Sequence, residues 1–142
     1  MKLAILAAGG ALAALVALPS IAAVLPVDAP TKMGNVTAVC TGVGSAKDNP
    51  EWASWPIKLE FSNGGAQFVS GENVKLMNQT GASIAEFDCT GPWVLLSLPK
   101  GSYSVTASVP QSNSGPRSVK FETPATGQKR VEVQFAATPP NQ

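Results

Sequence analysis

Apolar and polar residues alternate with period two through most of the chain after residue 35. Ile57, Leu59 and Phe61 share one parity, and Lys58, Glu60 and Ser62 the other. The same pattern recurs at 36–40, 74–76, 85–89, 103–109, 119–121 and 131–135. Successive side chains of a strand point to opposite faces, so each stretch predicts a strand buried on one side. Residues 94–98 are instead a continuous apolar run, which suits a strand buried on both faces.

Turn-forming residues separate these stretches. Asn63-Gly64-Gly65, Gln79-Thr80-Gly81, Thr90-Gly91-Pro92, Pro99-Lys100-Gly101, Asn113-Ser114-Gly115-Pro116 and Pro124-Ala125-Thr126-Gly127 all fall between alternating segments. Short strands closely spaced by turns predict an all-β fold, a single antiparallel β-sandwich of about seven to eight strands. No helical pattern links the strands, which argues against parallel βαβ units. One helical turn is expected from Pro50 to about Ser54. Asp48 stands three residues before Glu51 as in a capping box, and Pro56 stops the turn.

The N-terminus predicts a destination. Met1-Lys2 is followed by an uncharged apolar run to Leu18, then Pro19 and Ser20-Ile21-Ala22. This is the layout of a secretory signal peptide, with cleavage after Ala22 or, alternatively, Ala23. The competing reading is a retained membrane anchor, which explains neither Pro19 nor the small residues at the cut. The expected organisation is a signal peptide at 1–22, an extended leader at 23–33, a β-sandwich domain at 34–136 and a C-terminal tail at 137–142. Location is then periplasmic or secreted, with no membrane span after cleavage.

The segment Gly91-Pro92-Trp93 through Val105 contains an apolar strand, then Leu98-Pro99-x-Gly101-x-Tyr103, then an alternating strand. It resembles the carboxypeptidase regulatory-like domain, a transthyretin-like (prealbumin-like), Ig-like β-sandwich. The likeness extends over about 56–136 and includes Glu72-Asn73-Val74-Lys75-Leu76 followed by Gly81. Small exported bacterial proteins built on this domain share a Gly-Val-Gly loop before a short helix and strand, as Gly42-Val43-Gly44 precedes Phe61 here. The resemblance implies an accessory or binding module and no catalytic residue. From the residues themselves, Pro99, Gly101 and Tyr103 have structural roles. Pro99 fixes its own φ, Gly101 suits a tight turn, and the Tyr103 hydroxyl can bond backbone as in a tyrosine corner.

Composition narrows the chemistry. The chain of 142 residues has a formal net charge of +1, and removing Lys2 with the signal peptide leaves 9 basic against 9 acidic residues. Nothing in that balance suggests a nucleic-acid partner. With no histidine, a Ser-His-Asp triad is excluded and the commonest metal ligand is missing. Glu86 and Asp88 read as a solvated strand face, and Asp48, Asn49 and Glu51 as capping residues. No catalytic residue, metal site or cofactor is expected. Cys40 and Cys89 fall at inward parity in an exported chain and are expected to pair, free buried thiols being the alternative.

Trp52, Trp55 and Trp93 are the candidate ligand-binding residues. In the structural reading, the loop carrying Trp52 and Trp55 folds over one open end of the sandwich and its indoles plug it. In the functional reading, the indoles form a platform for sugars. The expected function is an exported non-enzymatic module that binds or supports an envelope protein or glycan. The alternative is a carbohydrate-binding module using Trp52, Trp55 and Trp93.

Overall fold

A computed structural model describes residues 9–10, 22–63, 68–110 and 114–135. The signal segment, apart from Gly9, Gly10 and Ala22, lies outside the described residues, as does the tail at 137–142. All eight alternating or apolar segments are strands: β3 (Val36–Thr41), β4 (Ile57–Ser62), β5 (Glu72–Asn78), β6 (Ser83–Cys89), β7 (Trp93–Ser97), β8 (Ser102–Ser108), β9 (Arg117–Glu122) and β10 (Lys129–Gln134). Two further strands, β1 (Ala23–Val24) and β2 (Thr31–Met33), bring the described number to ten rather than seven to eight. Both lie in the segment expected to be a leader ahead of the sandwich. They have two and three residues, too short for alternation to reveal them.

The strands form two five-stranded sheets, ordered β1-β6-β5-β8-β9 and β10-β4-β7-β3-β2. Pairing is not wholly antiparallel as expected. β1 runs parallel to β6, and β10 runs parallel to β4 over six residue pairs from Lys129↔Ile57 to Gln134↔Ser62. Alternation reports which face is buried and carries no information on strand direction, so the sequence pattern was silent on this point.

The core lies between the sheets. Ile57, Leu59 and Phe61 of β4, Val74 and Leu76 of β5, Phe87 of β6, Val94 and Leu96 of β7, Val105 and Ala107 of β8 and Val133 of β10 are fully buried there. Each large aliphatic or aromatic side chain so buried contributes roughly 1.5–3 kcal/mol. The N-terminal segment closes one side of this core. Ala23 and Val24 pair with Phe87 and Asp88, Leu25 enters the core, and Val27 bridges Cys40 before β2 joins β3. The Asp28 N–H donates to the Cys40 carbonyl at 2.8 Å, and Asp28 Oδ1 accepts from Thr41 Oγ1 at 2.6 Å. On the other side, edge strands β9 and β10 approach each other. Cys40 of β3 and Cys89 of β6 form a disulfide that joins the two sheets.

Candidate functional site

The segment between β3 and β4 consists of two 3-10 turns, Gly44–Asp48 and Pro50–Ser54. The cap of the second is Asn49, one residue after the expected Asp48: its side chain accepts from the Glu51 N–H at 3.0 Å. These turns do not close an end of the sandwich. They lie on the outer face of the second sheet, where Trp52 packs against Val39 and Leu95. Val39 and Leu95 are cross-strand partners on that face. The continuous apolar run in β7 explains the arrangement, because Leu95 needs cover on the side away from the core and the loop provides it.

Trp52 is 8% exposed, and its Nε1–H donates to the Ala46 carbonyl at 2.8 Å. The Trp52 carbonyl in turn accepts from Gln128 Nε2 at 2.7 Å. Trp55 is half-buried at the edge of the same cluster. It lines a shallow concavity with Thr37, Ser54, Pro56 and Ser97. The loop therefore spends Trp52 on packing, and Trp55 is the more exposed of the two.

Trp93 lies further along the same face, opposite Thr41 and Glu60. Lys58 Nζ stands 3.5 Å from the centre of its ring, and Phe68 meets it edge-on at 6.0 Å between centroids. Such a cation over an indole is attracted by the ring quadrupole. Gly42 packs against the ring: a Cβ there would come within 2.9 Å of Trp93 Cγ, and the backbone φ of +100° already favours glycine. The indole is thus enclosed by Gly42, Lys58 and Phe68 rather than laid open as a flat platform. Its Nε1 is buried and has no partner among the described residues. Lys58 Nζ also pairs with Glu60 Oε1 at 3.0 Å, and Arg130 Nε donates to Glu60 Oε2. That hydrogen bond, with the attraction of the carboxylate, raises the Arg130 pKa above its usual value. The structure places all three tryptophans on one sheet face, but in two different settings.

The Tyr103 hydroxyl donates to the Pro99 carbonyl at 2.6 Å, and its ring stacks on Phe121 at 5.8 Å between centroids. Gly101 approaches the same ring. Pro99, Gly101 and Tyr103 thus form one local corner at the β7–β8 turn. Of the other carboxylates considered, Asp88 Oδ1 accepts from Asn73 Nδ2 at 2.9 Å, while Glu86 is exposed. No group of three or more metal-ligating side chains is gathered among the described residues.

Glu72 is the polar residue that the sequence reading passed over. It opens β5 opposite Cys89, is 1% exposed, and both carboxyl oxygens lack a hydrogen-bond partner among the described residues. Loss of water around the charged form pushes its pKa from 4.5 to about 9, so the group is a neutral acid at pH 7. The signal was present: Glu72 shares parity with Val74 and Leu76.

Comparison with family models, curated proteins and solved structures gives no match to this chain.

Proposed function

We propose that this chain is an exported, non-enzymatic β-sandwich module of the carboxypeptidase regulatory-like, transthyretin-like kind. After removal of its signal peptide it binds an envelope glycan or protein in the periplasm or outside the cell. The observation that supports this reading best is where the reactive side chains lie. The two cysteines are paired, Glu72 is sealed from solvent, and Glu60 is held between Lys58 and Arg130. A catalytic acid or base must come within hydrogen-bond reach of its substrate, and these groups are committed elsewhere. Carboxylates such as Glu86 and Glu122 stand on exposed strand faces among amides, hydroxyls and lysines, a mixture that suits ligand recognition.

The disulfide fits an oxidising compartment. Among the described residues from Ala22 onward, strand pairing starts at Ala23, the first residue after the expected cut. A cut after Ala22 leaves β1 intact, and either cut leaves Leu25 to enter the core. The test is to express the full chain in a bacterial host, sequence the N-terminus of the product, and measure sedimentation of the purified mature protein with envelope fractions. A soluble product starting at Ala23 or Val24 that co-sediments saturably with one fraction supports the proposal. A membrane-bound species starting at Met1, or no binding to any envelope fraction, overturns it.

A further inference from the structure

Of the three indoles, one is not used up by the fold. Trp52 is sealed and its Nε1–H is bonded, and the Nε1 of Trp93 is buried. Trp55 is half-buried, and its Nε1 is neither buried nor hydrogen-bonded among the described residues. It lines an open concavity of about 280 Å³ with Thr37, Ser54, Pro56 and Ser97. We propose that this concavity is a subsite for one pyranose ring of a neutral glycan chain, set against the Trp55 indole and held by the hydroxyls of Thr37 and Ser97. The inference rests on the binding-module reading and names its ligand class and the residues that read it.

Three features point to that ligand class. The first is a pair of free hydroxyls. Thr37 and Ser97 are cross-strand partners on β3 and β7, so their Cβ atoms stand about 5 Å apart. They share parity with Val39 and Leu95, the residues under the tryptophan loop, so hydroxyls and indole meet on one sheet face. Neither hydroxyl has a partner among the described residues. Ser97 is exposed and Thr37 half-buried. Each can donate one hydrogen bond and accept two, as the hydroxyls of a sugar require. Ser54 Oγ donates to the Glu51 carbonyl at 2.8 Å and keeps its own lone pairs.

The second feature is charge. None of the five lining residues ionises, and Lys32, the cross-strand neighbour of Thr37, stands outside the lining. A charged ligand would shed water here without gaining a partner. A purely apolar one would cover the two hydroxyls and leave them unpaired. A neutral sugar brings both an apolar C–H face and a polar rim. The third feature is a fixed indole. The turn before it is capped by Asn49 and tied through Trp52 Nε1 to Ala46. The Trp52 carbonyl accepts from Gln128 Nε2 at 2.7 Å and from the Trp55 N–H at 3.3 Å. Binding therefore costs little further ordering. A larger concavity of about 520 Å³ beside the Tyr103 corner offers no such ring, because Phe121 in its lining is 4% exposed and the Tyr103 hydroxyl is bonded to Pro99.

Cellotetraose and chitotetraose are the probes, with cellotetraose oxidised to uronic acids at C6 as the charged comparison. Binding is followed by amide and indole NMR shifts of the oxidised, mature protein. The expected result is saturable shifts of the Trp55 indole and of the Thr37 and Ser97 amides with at least one neutral tetrasaccharide, and weaker binding of the uronate. Trp55→Ala should weaken binding by roughly tenfold, and Trp55→Phe, which keeps a ring, should restore most of it. Thr37→Val with Ser97→Ala keeps the shape of the site and removes both hydroxyls. It should also weaken binding by roughly tenfold at an unchanged melting temperature, which separates a lost contact from a lost fold. No saturable shift with either neutral tetrasaccharide, tighter binding of the uronate, or full binding by Trp55→Ala overturns the proposal. Saturable shifts confined to the Trp93 indole and its neighbours would overturn this site while leaving the binding-module reading in place. If envelope fractions also fail to bind, that reading falls as well.

Discussion

Glu72 makes stability fall with rising pH, and Glu72→Gln should remove that dependence. In the folded chain the carboxyl has a pKa of about 9, against 4.5 when solvated. Between those values the folded state binds a proton that the unfolded state has lost. Unfolding therefore becomes easier as pH rises: the stability is fully present below pH 4.5 and lost progressively until about pH 9. Each pH unit inside the window costs up to about 1.4 kcal/mol. Going from about pH 5 to about pH 8 thus removes up to about 4 kcal/mol. Glutamine keeps the shape and does not titrate. Urea unfolding of the oxidised protein and of Glu72→Gln should give a difference near zero at the acid end. That difference should grow to about 4 kcal/mol in favour of glutamine at the alkaline end. Other carboxylates titrate alike in both proteins and cancel. A difference that stays flat across this range would refute the reasoning, because it would mean that water or a partner reaches the carboxyl. Glu72→Met, which leaves no unpartnered polar atom there, should exceed Glu72→Gln in stability by about 1–3 kcal/mol at every pH.

Further outcomes follow from the packing. Trp52→Ala should cost about 3–5 kcal/mol in chemical denaturation, since it empties the space over Val39 and Leu95. Trp55→Ala should cost clearly less; the reverse order would mean that the loop is held mainly by Trp55. Reducing Cys40–Cys89, a bridge spanning 49 residues, should cost about 4 kcal/mol on the loop-entropy account, read as a lower denaturation midpoint with dithiothreitol. An unchanged midpoint would refute it. Tyr103→Phe deletes the bond to the Pro99 carbonyl and should cost about 1 kcal/mol, because that carbonyl remains open to water. Gly42→Ala should cost more than that, through its contact with Trp93 and its left-handed φ; a midpoint equal to wild type would remove the packing argument.

Face and direction differ in how well a sequence carries them. Residues 57–61 and 103–109 alternate cleanly because one side meets the core and the other water, and β4 and β8 follow. The cysteine pairing was legible for the same reason, both thiols being at inward parity. β1 and β2 were not, because two or three residues hold no period. Their places depend on partners: Phe87 and Asp88 for β1, and 36–38 for β2. The tryptophan loop was half legible. Its capped turn and its need to cover apolar surface could be read, but the surface it covers was recorded in β7, whose unbroken apolar run asks for shelter on two sides. The cavity beside Tyr103 was not legible. Asn78 is far in sequence from Lys120 and Lys129, and the three come from strands of two different sheets that the fold brings to one concavity.

The parallel pairing of the last strand sets a timetable for the chain. Lys129 pairs with Ile57, a separation of 72 residues (129 − 57). Closing a loop of that length costs about 4 kcal/mol of chain entropy beyond a constant, and no contact on β10 offsets it until the strand arrives. A nascent chain halted before residue 129 would leave β4 with an open edge, and the core would lack Val131 and Val133. Non-local pairings of this kind slow folding. Under the proposed export, that delay would keep the sandwich incomplete until β10 has been made and can reach β4.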